Sequence, residues 1–168
     1  MSRPSAEMAE QLIGDVDREE QFDELVLSCP EKLPLIAEGE YDAIVLSCRK
    51  QRRFRRELLA FKFRIVSQGG AFGGVLPGYA NLDFGPGRSR QLPVRSKLAI
   101  WIRRIHAFDH AIPLKRTPIK IFEQFQFVVR VATSTGPPDH PLPTSEQYST
   151  VTDILSITGR ITSRGSGI

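Results

Sequence analysis

The chain has 168 residues, 40% hydrophobic and 25% charged, enough for one packed core rather than two. Its apolar runs fall short of the roughly 18 residues a membrane helix needs, and its first twenty residues are acidic where a secretory signal needs an apolar centre. The net charge of +4 hides an asymmetry: residues 1–40 carry a balance of −8, residues 41–135 of +13, and residues 136–168 of −1. So basic a body is expected to meet a polyanion, most simply nucleic acid.

The first segment, residues 1–39, reads as an acidic arm. Pro30 and Pro34 break its short apolar runs, so it is expected to pack loosely or not at all. It is either a solubilising segment or one that folds back on the basic body and competes with the partner. Cys29 and Cys48 lack metal-type spacing, and a chain without an export signal is expected to keep them as reduced thiols in a cytoplasm. Cys48 falls in an apolar stretch and reads as a packing residue.

The body spans residues 40–158. EYDAIVLSC (40–48) is rich in β-formers and fits a first strand. Six of the next eight residues, Arg49 to Arg56, are basic, with Phe54 among them. LLAFKFRIV then alternates. Leu59, Phe61, Phe63 and Ile65 share one side, Lys62 and Arg64 the other, as in a half-buried strand. SQGGAFGG places four glycines between Gly69 and Gly74. VLPGYANLDF is a third strand candidate that Pro77 and Gly78 would bend. GPGRSRQLP (85–93) is a loop.

Ser96 is placed to cap a helix, SKLAIWIRRIHAF, with Leu98, Trp101, Ile102 and Ile105 on one face. Pro113 and Pro118 mark a loop over 109–118. IKIFEQFQFVVRVAT alternates again. Phe125, Phe127, Val129 and Val131 face one way; Gln124, Gln126 and Arg130 face the other. STGPPDHPLPTS is a long loop. YSTVTDILSIT fits either a closing strand or a short helix, and residues 159–168 read as a tail.

The order is mainly β with one helix between the third and fourth strands. That is the order of a small antiparallel OB-fold-like barrel. Strands 1 and 2 then form a hairpin whose tip carries Arg49, Lys50, Arg52, Arg53, Arg55 and Arg56. Arginine suits phosphate through its planar fork of donors. Phe54 at the tip, with Phe72 and Tyr79 on or beside strand 3, offers rings for bases to stack on. Lys62, Arg64 and Arg130 extend the charge. A basic groove with interleaved aromatics is what sequence-tolerant single-strand binding requires. The plain alternative is a solvated hairpin with its rings turned to the core.

The glycine run lacks both a Walker lysine and the GxGxxG spacing, so it reads as a turn between strands. His106, Asp109 and His110 have no second ligand cluster, so neither metal nor cofactor is expected. No paired carboxylates or nucleophile motif points to catalysis, and a non-enzymatic protein is expected.

EYDAIVLSC, ELLAFKFRIVSQGGAFGGVLPGYANL, FEQFQFVVRVATS and QYSTVTDIL together resemble small OB-fold-like single-stranded DNA-binding proteins of plasmids, phages and integrative elements. The resemblance covers about residues 40–157. It implies Tyr41 opening strand 1, a Phe61-Lys62-Phe63 strand, Tyr148-Ser149 leading the last element, and a role in replication or processing of a mobile element. The basic 49–56 tract and the acidic arm depart from that pattern. The expected partner is single-stranded nucleic acid, DNA rather than RNA. The competing reading is an interaction module that docks an acidic protein. A partly open barrel also leaves edges for self-assembly into a homo-oligomer.

Overall fold

A computed structural model describes residues 31–53, 55–82 and 91–162. From Lys32 on, the described residues belong to one compact unit. Phe54 and residues 1–30 of the acidic arm, Cys29 among them, lie outside the described residues. Five strands form one sheet: β1 (Gly39–Arg53), β2 (Arg56–Ile65), β3 (Val75–Asn81), β4 (Phe125–Ser134) and β5 (Tyr148–Arg160). One α-helix, α1 (Lys97–Phe108), stands between β3 and β4. The strands bond in a closed ring, β1-β2-β3-β5-β4, and β4 returns to β1. Among the described residues the architecture is therefore mainly β with one α-helix. The pairing is antiparallel except at β3–β5, where Gly78 faces Val151 in parallel.

The alternating segments became strands with the expected faces. Phe61, Phe63 and Ile65 are buried on β2 while Lys62 and Arg64 are exposed. Phe125, Phe127, Val129 and Val131 are buried on β4. Ser96 caps α1, its Oγ accepting from the Ala99 amide at 3.2 Å. The helix buries Leu98, Ala99, Trp101 and Ile105. The Trp101 indole meets Phe61 edge-on at 5.6 Å between ring centroids, and Phe122 also meets Phe61 edge-on at 5.2 Å. Edge-to-face geometry places positive ring edges on negative ring faces.

Three boundaries differ from the sequence expectation. First, β1 does not stop at Cys48. It pairs with β2 through Arg53↔Arg56, so Arg49–Arg53 and Arg56 are paired strand rather than part of a wide hairpin tip. Second, residues Ile119–Gln124 form a 3-10 turn ahead of β4. Neighbours Ile121 and Phe122 are both buried there, which one pleated face cannot provide. Third, residues 148–160 are a strand. The register shifts between Arg130 and Val131, so Arg130 faces Asp153 while Val131 faces Val151. This bulge lets Val151 and Ile154, three residues apart, both point inward. The β-branched content of the segment favours the strand that forms, against the Thr152-Asp153 pair, which weakens that reading.

Residues 34–38 lie against the sheet. Pro34 carbonyl accepts from the Ser149 amide at 3.0 Å. The buried Ser149 hydroxyl accepts from the Ile36 amide at 2.8 Å and donates to the Ile36 carbonyl at 3.2 Å. Among the described residues no helix is long and apolar enough to cross a membrane.

The ring closes where β3 and β5 approach most closely. A Cβ on Gly78 would lie 2.6 Å from the Phe63 ring and 3.2 Å from the Val151 carbonyl. Phe63 is fully buried and cannot swing away. Gly78→Ala is therefore expected to lose about 1–3 kcal/mol, the usual cost of overpacking, read as a lower urea midpoint at unchanged slope. An unchanged midpoint would show that the seam is looser than described.

Candidate nucleic-acid interface

The last pair of the β1–β2 hairpin is Arg53↔Arg56, two residues short of contiguous in sequence. Arg55 has φ 63°, in the left-handed region. Two-residue hairpin turns call for positive φ and favour Asn or Gly. An arginine there keeps its charge at the tip against a backbone preference.

Alternation divides the tract between two faces. Cys48, Lys50 and Arg52 share one face with Phe61, Leu59 and Glu57, their respective partners on β2. Lys50 forms an ion pair with Glu57 at 3.0 Å. Arg49, Gln51 and Arg53 share the outer face of the sheet. There, Arg49 faces Ala60, which faces Tyr79; Gln51 faces Leu58, which faces Asn81; Arg53 faces Arg56. The small Ala60 takes up little of this face beside the Tyr79 ring.

The outer face carries a shallow concavity of about 510 Å³ lined by Arg53, Arg56, Leu58, Tyr79 and Asn81. The Arg53 guanidinium lies 5.6 Å from the Tyr79 ring centroid, a cation–π contact. Arg49, Arg52, Arg53, Arg55 and Arg56 have no carboxylate partner among the described residues. Lys62 and Arg64 continue the same outer face down β2, opposite Pro77 and Val75 of β3.

Not every expected residue joins this face. Arg52 lies on the opposite side of the hairpin. Phe72 is 60% exposed, but it sits in the loop at the other end of β2, eight or more residues along the strand from the tip. At about 3.3 Å per residue that is well over 20 Å. Arg130 pairs across β4–β1 with Glu40, 3.8 Å away, and lies beside α1 rather than the hairpin. Phe54 lies outside the described residues. Sequence reading missed Asn81 and Leu58; alternation from Tyr79 and Arg56 identifies them.

The other flagged groups serve the fold. His106 Nδ1 lies 2.6 Å from the Ile112 carbonyl, and Asp109 pairs with Arg160. Cys48 is buried, and burial first, then the nearby Glu123 charge, pushes its thiol from an ordinary 9.0 up to about 12. No protein-family model, no curated protein and no solved structure matches the chain.

A thiol held so far above its ordinary value remains protonated at neutral and mildly alkaline pH, and the protonated form is the unreactive one. Iodoacetamide at pH 8 is expected to leave Cys48 unmodified in the folded protein and to modify it in urea, as read by peptide mass. Rapid modification in the folded state would contradict its burial.

Proposed function

We propose that the protein is an OB-fold-like barrel that binds single-stranded nucleic acid, DNA in preference to RNA, on the outer face of β1, β2 and β3. The ring order, the helix between β3 and β4, and the parallel β3–β5 contact support the barrel reading. In that fold the strand 2–3 face and its neighbouring loops bind oligonucleotides.

One observation carries the functional reading. Arg53 and Arg56 line one concavity with Tyr79, Arg53 over its ring, and among the described residues no carboxylate lines it. Guanidinium groups hold phosphates by paired donors. The Tyr79 ring offers a face for a base. Leu58 floors the site, and the Asn81 amide supplies a donor and an acceptor for a base edge. Arg49, Lys62 and Arg64 track the backbone to either side. Binding of this kind displaces counterions and weakens steeply as salt rises. The role is non-enzymatic, accessory to replication or processing of a mobile element.

Fluorescence anisotropy with oligo-dT at two salt concentrations tests the reading. Arg53→Ala with Arg56→Ala is expected to weaken binding about tenfold or more, with the melting temperature unchanged. Tyr79→Ala is expected to cost roughly 1–3 kcal/mol of binding, the usual worth of one stacked base. Arg52→Ala, on the opposite face, is expected to cost less than Arg53→Ala. Affinity that ignores salt, or binding to an acidic peptide but to no oligonucleotide, would overturn the proposal.

A further inference from the structure

A second basic concavity lies beside the helix. It measures about 420 Å³ and is lined by Arg95, Lys97, Ile100, Arg104, Arg130, Thr152 and Asp153. Four cations from three parts of the chain surround one carboxylate. That carboxylate is already engaged: the Trp101 indole donates to Asp153 at 2.7 Å, and Arg104 sits 3.5 Å from it. Arg104 also donates to the Ile154 carbonyl. Among the described residues Arg130 pairs with Glu40 at 3.8 Å on the exposed surface, and Arg95 has no carboxylate partner. The local balance is an excess of positive charge with two arginines available to a ligand.

The two concavities share a boundary. Lys97 lines the second, and its Nζ donates to the Tyr79 carbonyl at 2.9 Å. The Tyr79 ring lines the first. The same ammonium lies 5.3 Å from the Trp101 ring centroid. Burial pushes the Lys97 ammonium below the ordinary lysine value, partly offset by Asp153. A phosphate nearby would act in the same direction as Asp153.

We infer that Arg95, Lys97, Arg104 and Arg130 form a second phosphate subsite, taking the backbone of the same single strand where it leaves the Tyr79 concavity and crosses Lys97. This rests on the nucleic-acid reading above and extends it to a path around the β3–β5 seam. Lys97 and Arg104 are tethered to the fold and set the shape of the subsite. Arg95 and Arg130 supply the adaptable forks.

Oligonucleotide length separates the subsites. An oligo-dT of about four nucleotides fills the first concavity, and one of about twenty exceeds the span of a single OB fold. The test variant is Arg95→Ala with Arg130→Ala, both outside the core, with circular dichroism melting to verify folding. Its affinity for the long oligonucleotide is expected to fall about tenfold. The salt slope is expected to shrink by about 1.4, two phosphate contacts at about 0.7 each. Affinity for the short one is expected to stay within about twofold of wild type. Arg95→Lys with Arg130→Lys, which keeps the charge, is expected to recover most of the long-oligonucleotide affinity. Equal losses on short and long oligonucleotides, or no loss on either, would overturn the second subsite while leaving the first standing. A wild-type protein that binds neither length would overturn both readings.

Discussion

The constraint on which this structure turns is the seam between β3 and β5. The two strands meet there at one parallel pair, Gly78 and Val151. A seam so narrow needs another element to hold it, and α1 does so from both sides. Lys97 reaches the Tyr79 carbonyl of β3. Trp101 and Arg104 reach Asp153 and Ile154 of β5. The helix thereby bridges strands that hardly bond to each other. The interior answers with aromatic packing. Trp101 is fully buried against Phe61 and Phe122, and loss of one such ring from a core costs about 3–5 kcal/mol. The missing Cβ at Gly78 and the indole at Trp101 thus close the ring by complementary means, one by bringing backbones near and the other by filling what lies beneath them.

Closure also governs where the charge can go. With apolar side chains filling the interior, each β2 residue between them must face out, and Lys62 and Arg64 occupy those positions. The hairpin prolongs the same alternation beyond the core. It sorts the basic tract into an outer face with Arg49, Arg53 and Arg56 and an opposite face where Glu57 compensates Lys50. Among the described residues Arg49, Arg53 and Arg56 have no carboxylate partner, and their face is the one that holds Tyr79. Exposed ion pairs contribute little to stability, so the lack of partners for these arginines costs the fold little and leaves their donors available to phosphate.

Much of this architecture was legible in the sequence because both clear strands alternate strictly and the helix has a cap and a single apolar stripe. The legible part ends where side chains answer to partners distant in sequence. Asp153 weakened the strand reading of its segment, yet it is the acceptor for Trp101, 52 residues away. Lys97 and Arg104 lie off the apolar stripe of the helix, and only their carbonyl partners on β3 and β5 show their structural work. The 49–56 tract read as a loop because arginines carry a weak strand signal; pairing with β2 decided the matter. Tyr79 was named from its ring alone, and only the register shows that Ala60 lies beside it and that Arg53 lies within reach. Phe72 and Arg130 were grouped with the hairpin by chemistry, and strand direction separates them from it.

The central claim is that one face of the hairpin, and not its charge as such, receives the ligand. Amide and side-chain chemical-shift perturbation on titration with oligo-dT tests that most directly. The account predicts the largest shifts at Arg53, Arg56, Leu58, Tyr79 and Asn81, with Lys50 and Arg52 on the opposite face little changed. Equal shifts on both faces, or shifts confined to residues away from β1, β2 and β3, would contradict it.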